Sequence, residues 1–265
     1  MRMMSIASGS NGNCIYVGTD NTHILIDDGI SKKKVIEGLN KLELTLNDID
    51  AILVTHEHDD HIGGLGVLER QCQIPVFGTR GTIDAISSYS KLGKMPDDIY
   101  RLVDAGSSFM IGDIEIGSVR ISHDAAEPVA YVLSSQGKKA GIITDLGIYT
   151  EDIISKFSGL DTIFIESNHD INMLMAGPYP YVLKQRILGN RGHLSNEDCG
   201  RLLGSLLNDR TKHVFLAHLS KENNFPELAF ETVRMEIDLG DNSYKAKDFD
   251  IRVADRSTPS DILIF

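Results

Sequence analysis

The sequence has 265 residues, of which 42% are hydrophobic and 24% charged, a balance typical of ordinary globular proteins. A chain of this length can bury a full hydrophobic core without disulfide bonds or structural metals. Its three scattered cysteines lack the spacing of a disulfide framework. The net charge of −12 disfavours nucleic-acid binding through phosphate neutralisation alone, although divalent cations would reverse the field inside a site. Without an evident signal peptide or membrane span, we expect a cytoplasmic protein with a single domain over residues 1–265.

The first half of the chain opens with a glycine-rich loop, Ser8–Asn13, and continues as alternating strands and helices. Backbone N–H groups of this loop fit either a phosphate-binding nest or an ordinary tight turn. Apolar runs and helical periodicity then predict, in chain order, a strand hairpin at Cys14–Val17 and Ile24–Ile26, a helix at Ser31–Leu42, a strand at Ala51–Val54, a helix at Gly64–Gln71, a strand at Pro75–Phe77 and a helix at Thr82–Tyr89.

The second half of the chain becomes strand-like from Phe109 and later alternates helices with strands. The predicted elements are strands at Ile114–Ile121, Val129–Leu133, Ala140–Thr144 and Asp161–Glu166, helices at Pro180–Leu188 and Asn196–Leu207, a strand at Val214–Ala217, a helix at Pro226–Leu239, and strands at Ile251–Val253 and Ile262–Phe265. Strand blocks in both halves predict an α/β (α+β) fold, in which sheets pack face to face with helices outside.

A cluster of metal-binding residue types directly follows the apolar run Ala51–Val54. It contains His56, His58, Asp60 and His61 within six consecutive positions. Residues two apart on an extended segment point the same way, so the first two histidines can bind one ion, while the last two residues, where the chain turns, address a second. A solvated charge run does not explain three histidines at a strand end. The cluster therefore predicts metal binding.

Three further polar residues follow apolar strands directly, namely His123, Asp145 and His218. Each by itself fits a capping or loop residue better than a ligand. Together with the histidine cluster, however, they complete a coherent ligand set for two ions.

These residues resemble, in type and order, the metallo-β-lactamase superfamily, whose HxHxDH signature matches His56–His61. The resemblance spans most of the chain and implies a four-layer αβ/βα sandwich. It also implies seven metal ligands: His56, His58 and His123 for the first ion, Asp60, His61 and His218 for the second, and Asp145 between both. Asp27, after the second hairpin strand, would support the site by hydrogen bonding or serve only as a turn residue.

Several longer blocks resemble more specifically the bacterial YycJ/WalJ branch of that superfamily. They are Ser8–Cys14, Ser122–Pro128, Thr144–Gly147, Glu166–Asp170, Gly192–Glu197 and Ala217–Asn224. This resemblance implies metal-dependent nuclease activity, including 5′-to-3′ exonuclease activity on DNA. The chain between Asp145 and His218 is too short for the β-CASP domain of RNase J-type nucleases, and the tRNA-gripping arm of tRNase Z is also absent, so neither substrate carries over.

A similarity to tRNase Z concerns the proton donor. In that enzyme a glutamate after a strand orients a histidine that protonates the leaving group, and the matching residues here are Glu166 and His193. The resemblance therefore implies Glu166 and His193 as catalytic residues, and we expect Asp60 of the histidine cluster to be a third. A neighbour of a helix cap is the alternative for His193, because Ser195 starts a helix.

Other polar residues remain open on the sequence alone. His169 fits a functional or a structural role equally well, whereas His23 and His213 are expected to be structural or exposed. Arg186 or Arg191 as a phosphate contact competes with the simpler interpretation of a solvated helix face.

The expected chemistry follows from two cations about 3.5–4 Å apart, which can share a water and lower its pKa from about 15.7 towards about 7. The resulting hydroxide would attack a phosphodiester, DNA being favoured over RNA as the partner. Zinc is the first expectation for the metals, with manganese or iron as alternatives. Since the same hydroxide serves acyl transfer, hydrolysis of a small ester, lactone or thioester is the second hypothesis, and a metal-binding regulatory or redox module is the third.

Overall fold

The computed structural model describes all 265 residues, which form two units. The first unit comprises Met1–Arg120, Ala125–Ser135 and Asp255–Ile264, and the second comprises Ile121–Asp124, Gln136–Ala254 and Phe265. The single-domain interpretation of the sequence stays a prediction. No helix in the chain is both long enough and apolar enough to cross a lipid bilayer.

The first unit contains a sheet of seven strands, numbered in chain order. They are β1 Arg2–Ala7, β2 Cys14–Gly18, β3 His23–Ile26, β4 Ala51–Leu53, β5 Val76–Gly78, β6 Tyr100–Leu102 and β14 Leu263–Ile264. The order across the sheet is β14-β1-β2-β3-β4-β5-β6. Strands β3 to β6 run parallel, so their carboxyl ends share one edge. The histidine cluster follows β4 at that edge.

The same unit also contains an antiparallel ribbon and four helices. The ribbon strands are β7 Ser108–Ile111, β8 Ile114–Arg120 and β9 Val129–Ser135, and the helices are α1 Lys32–Lys41, α2 Asp59–Ile62, α3 Leu65–Cys72 and α4 Arg80–Ser88. Apolar side chains of α1 and α3, such as Val35, Leu39 and Leu68, are fully buried in one cluster with sheet residues such as Leu25 and Ile52. This burial holds the helices on the sheet.

The second unit is built on four parallel strands and five helices. The strands are β10 Lys138–Ile143, β11 Thr162–Glu166, β12 His213–Ala217 and β13 Asp250–Val253, and the helices are α5 Glu151–Lys156, α6 Ile171–Ala176, α7 Tyr181–Leu188, α8 Asn196–Leu206 and α9 Pro226–Leu239. Every residue of β11 is buried, as expected for a central parallel strand. Asp145, Glu166 and His218 lie at the common carboxyl edge of these strands.

The predicted elements are confirmed within a few residues at each end, and the helix Pro226–Leu239 has the predicted bounds. The sequence interpretation missed the strands β1 and β6 and the short helices α2, α5 and α6. Helices of four to six residues are too short for their apolar pattern to show a helical period. The glycine-rich loop contains a turn in which Gly12 N–H donates to Gly9 O at 2.9 Å, and Asn13 N–H donates to Asp60 O at 2.7 Å.

Candidate metal centre

The histidine cluster of the first unit lies in the connection from β4 to α2. His58 is the N-cap of α2, where the backbone changes from extended to helical, and this turn brings His61 back beside the extended part. The ring centroids of His56 and His58 are 4.6 Å apart, and those of His56 and His61 are 4.1 Å apart. His56 and His61 are fully buried. The structure thus brings the three histidines together.

Asp27 orients His61 through a buried hydrogen-bond network. His61 Nδ1 lies 2.7 Å from Asp27 Oδ2, and the backbone N–H and hydroxyl of Thr55 also donate to this carboxylate, at 2.8 and 2.9 Å. A carboxylate can only accept, so the proton of His61 lies on Nδ1 and the Nε2 lone pair points away from Asp27. Asp27 therefore supports the cluster and is more than a turn residue. Sequence analysis named Asp27 but missed Thr55.

Asn13, from the glycine-rich loop, holds the Asp60 segment in place. Its side-chain amide donates to Asp60 O at 3.3 Å and to Asp60 Oδ2 at 3.4 Å, in addition to the backbone hydrogen bond already described. Asp60 Oδ2 is itself 3.6 Å from His61 Nε2. The glycine-rich loop thus supports Asp60 and His61, which are predicted to bind the second ion. Only its position inside a family-like block hinted at this role.

The second unit contains a compact group of four metal-binding residue types. Asp145, Glu166, His193 and His218 offer ligand atoms that all lie within 4.8 Å of one another. Asp145 Oδ1 is 3.5 Å from His193 Nδ1 and 3.7 Å from His218 Nδ1. His123 joins the group, because its Nε2 lies 3.7 Å from the same Asp145 oxygen. Within this unit the structure brings together every residue that the sequence analysis predicted.

Unusual backbone conformations occur at the strand ends that carry some of these polar side chains. Six residues other than glycine have positive φ, and three of them are Asp27, Asp145 and His218, with φ of 61°, 58° and 55°. Each of the three lies within two residues of the carboxyl end of a strand. A left-handed residue costs free energy, and such residues are enriched at functional sites. The strand ends are therefore shaped to direct side chains at some conformational cost.

Glu166 orients two histidines and is itself fully engaged. Its Oε1 accepts from His193 Nδ1–H at 2.8 Å and from His218 Nδ1–H at 2.9 Å, while its Oε2 accepts from the backbone N–H groups of Leu146 and Leu194 at 2.9 and 3.1 Å. Four donors occupy the acceptor sites of this carboxylate. Glu166 therefore acts as an orienting residue.

The electrostatics of this pair follow from the same contacts. Burial alone would raise the pKa of Glu166, but the charge of His193 and the hydrogen bonds from His193 and His218 outweigh burial and lower the pKa to about 2. Burial likewise opposes a charged His193, yet the charge and hydrogen bond of Glu166 outweigh it and raise the pKa of His193. Glu166 is an anion at neutral pH, and His193 is favoured as its protonated partner.

The remaining histidines have separate roles. His123 donates its Nδ1–H to Gly192 O at 3.0 Å, so its Nε2 carries the lone pair. His169 is buried, its Nδ1 lies 3.3 Å from Asn168 Oδ1, and burial lowers its pKa to about 4, so it is neutral. His23 contacts Tyr16 and His213 contacts Asp250, outside both clusters.

Comparison with known proteins decides the family. The protein-family model that describes the β-lactamase superfamily domain matches residues 22–218 of the sequence. The chain belongs to the β-lactamase superfamily. It is 43% identical to exodeoxyribonuclease YycJ of Bacillus anthracis over 84% of each chain, and 40% identical to exodeoxyribonuclease WalJ of Streptococcus pneumoniae D39 over 89% of this chain and 88% of that one.

The fold of this superfamily member is also shown by a solved structure. The metallo-β-lactamase fold protein YhfI of Bacillus subtilis is 15% identical and covers 98% of both chains with a TM-score of 0.67. At this identity the likeness concerns the fold alone. It confirms the expected sandwich fold.

The donor chemistry of this superfamily member fits divalent metals. Imidazole and carboxylate are the ligand types that such ions take from proteins. Asp27 fixes the Nδ1–H tautomer of His61, and Gly192 O fixes that of His123, so in each case Nε2 carries the lone pair. Such hydrogen bonds behind the ligand are typical of metal-binding histidines. The residues therefore fit the group that the family implies.

Proposed function

We propose that this chain is a divalent-metal-dependent nuclease that removes nucleotides from the ends of DNA. The observation that carries the proposal is the hydrogen-bonded pair of Glu166 and His193 beside Asp145 and His218. A charged histidine held by a buried carboxylate is equipped to donate a proton to an oxygen leaving group. The similarity to two exodeoxyribonucleases, over more than four fifths of each chain, supports nucleic acid as the substrate.

The proposed metal ligands are the seven residues that the sequence analysis selected. His56, His58 and His123 would hold one ion, Asp60, His61 and His218 a second, and Asp145 both. Bound divalent ions would supply Lewis-acid activation of water and neutralise negative charge that develops on phosphoryl oxygens. Zinc is the first candidate, with manganese and iron as alternatives, since all three accept imidazole and carboxylate.

The chain's own residues supply orientation and the proton. Glu166 accepts the Nδ1–H of His193 and thereby aims the Nε2–H at the substrate side. We propose that this Nε2–H protonates the oxygen that leaves phosphorus. Asp60, fixed by Asn13, completes the proposed catalytic set.

The test is digestion of end-labelled DNA and RNA, single- and double-stranded, by protein loaded with Zn²⁺, Mn²⁺ or Fe²⁺. Rapid release of labelled mononucleotide from the 5′ end, and slow release from the 3′ end, is expected if digestion runs 5′ to 3′. RNA cleaved faster than DNA would contradict the DNA preference. A chain that cleaves only a lactone or thioester would replace the proposal with the second hypothesis.

Variants of the proposed ligands provide the controls for the same assay. His58→Ala and Asp145→Ala are expected to reduce cleavage by about 10³-fold or more and to lower the bound metal measured by elemental analysis. His213→Ala is the matched control, because this histidine pairs with Asp250 away from both clusters. Full cleavage by either ligand variant would disprove the assignment.

A further inference from the structure

The segment 171–196, which leads from α6 through α7 to the proposed proton donor, differs in charge from the rest of the chain. It contains no Asp or Glu, although the chain has 38 acidic residues and a net charge of −12. It carries three cations, Lys184, Arg186 and Arg191. A stretch that is locally basic within an acidic protein attracts a polyanion.

Helix α7 presents apolar and aromatic side chains to solvent. None of its residues is buried, and the exposed fractions of Tyr181 and Val182 are 69% and 80%. At about 100° per residue, these two side chains share one face of the helix with Gln185 and Arg186, all of which are exposed. A helix that contributes no buried residue to the core has its exposed side chains available for another molecule.

The start of α7 is held rigidly. Lys184 Nζ donates to Met175 O at 2.7 Å and to Gly177 O at 2.8 Å, which ties α7 to the end of α6. Two prolines, Pro178 and Pro180, restrict the backbone of the connection between the helices. A backbone that is already fixed loses little entropy when a ligand contacts its side chains.

The end of α7 contacts the proposed proton donor. His193 N–H donates to Ile187 O at 3.0 Å, so the donor histidine is attached to the last turn of the helix. Ile187 is six positions after Tyr181, which corresponds to about 9 Å along the helix axis. Arg191 Nε donates to His123 O at 3.1 Å, and Arg186 Nε forms an ion pair with Asp124. Arg191 thus contacts a candidate ligand of this unit, and Arg186 contacts the residue that follows this ligand.

We propose that the exposed face of α7 is a stacking platform for the unpaired bases of a nucleic-acid end. This inference rests on the proposed nuclease function and adds a substrate class, a single-stranded end. A base would stack on Tyr181 while Arg186 and Arg191 contact the phosphates on either side, which directs the scissile bond towards His193. Every base has a π-face, so such a platform accepts any sequence but requires an unpaired strand.

The first experiment measures the steady-state kinetics of metal-loaded protein on a 5′-phosphorylated oligothymidylate, on a blunt duplex and on bis(p-nitrophenyl) phosphate. Tyr181→Ala is expected to raise KM for the single strand about 5- to 100-fold, with a much smaller change in kcat, because base stacking is lost. The kcat/KM ratio of single strand to aryl diester should fall accordingly, and Tyr181→Phe should restore it. Met235→Ala, at an apolar position 52% exposed on α9, is the control.

A second readout needs no catalysis, because the chain contains no tryptophan. Tyr181→Trp introduces a single tryptophan whose fluorescence is expected to be quenched when oligothymidylate stacks on it. Met235→Trp places a single tryptophan elsewhere in the same unit and should not be quenched. An unquenched Tyr181→Trp variant, together with a normal KM for Tyr181→Ala, would overturn the platform.

The outcomes separate this inference from the nuclease proposal. If the unaltered protein degrades DNA but the Tyr181 variants match it, the platform fails and the nuclease stands. If the protein degrades no nucleic acid yet Tyr181→Trp is quenched, the nuclease fails and the platform stands. A concentration-dependent dimer in sedimentation, dissolved by Tyr181→Ala, would overturn the platform in favour of a contact between copies of the chain.

Discussion

At the scale of single residues, the proton-donor assignment depends on how one carboxylate is used. Glu166 accepts two histidine N–H groups and two backbone N–H groups, so its position is fixed by four independent donors. A carboxylate whose acceptor sites are all occupied in this way orients its partners and retains its own charge. His193 is the partner that is partly exposed and can reach a substrate.

The leaving group decides whether His193 donates a proton. Without it, the alkoxide oxygen of DNA must leave unprotonated, so His193→Ala is expected to reduce kcat on DNA by about 10² to 10⁴-fold. A nitrophenolate leaves without protonation, so bis(p-nitrophenyl) phosphate should lose less than about tenfold. Measured kcat values on both substrates give the comparison. Equal losses would argue that His193 binds metal or shapes the site instead.

The sequence was sufficient for the candidate ligands but not for the residues that hold them. His56, Asp145 and His218 are recognisable because each follows an apolar strand, and the carboxyl ends of parallel strands share an edge. Asn13 and Thr55 have no such pattern. They contribute through hydrogen bonds to distant residues, and only the folded structure reveals a donor within 3 Å of an acceptor far along the chain.

At the scale of elements, the connection after β3 determines where the Asp60 segment lies. A Cβ atom at Gly29 would lie 1.7 Å from Asp60 O, so only glycine lets these two backbones approach. Gly29→Ala is expected to cost about 3 kcal/mol or more of unfolding free energy and to weaken metal binding, as measured by urea denaturation and metal titration. In β8, an added Cβ at Gly117 meets only ordinary contacts, so Gly117→Ala should cost less than about 1 kcal/mol. Similar losses of unfolding free energy in Gly29→Ala and Gly117→Ala would contradict this explanation.

Helix α3 carries a buried carboxyl that gives the fold a pH dependence. Burial, and the nearby charge of Asp28, raise the pKa of Glu69 from 4.5 to about 8. The folded chain therefore keeps a proton that the unfolded chain releases, and stability falls as pH rises from about 4.5 to about 8. Burial also raises the pKa of Asp28 to about 8, so Glu69→Gln is expected to reduce this fall without abolishing it. The variant should be about 1–3 kcal/mol more stable than the unaltered protein at pH 9, with little difference at pH 4. Urea denaturation at both pH values measures the difference in unfolding free energy between the two proteins. A variant that is less stable than the unaltered protein at pH 9 would contradict the prediction.

The elements that sequence analysis found and missed differ in length. The 14-residue helix α9 repeats its apolar pattern over several turns, so the predicted bounds are correct. The four-residue helix α2 offers one turn, whose composition of Asp59, Asp60 and His61 reflects the site more than the helix. Its helical form depends on docking against the glycine-rich loop, which a local pattern does not encode.

At the scale of the whole molecule, a net charge of −12 means that the fold carries unfavourable repulsion, part of it among the carboxylates at the proposed centre. Divalent cations that bind the folded chain and not the unfolded chain would relieve it and stabilise the fold by mass action. At a metal concentration about 100 times Kd, the gain is about 2.7 kcal/mol, which corresponds to a rise of roughly 5–10 °C in Tm. Thermal unfolding with and without a chelator measures this shift. Asp145→Ala should lose most of it while His213→Ala keeps it, because only the former removes a proposed ligand of both ions. An equal shift in the two variants would mean that the cations stabilise the protein by binding its acidic surface rather than the proposed centre.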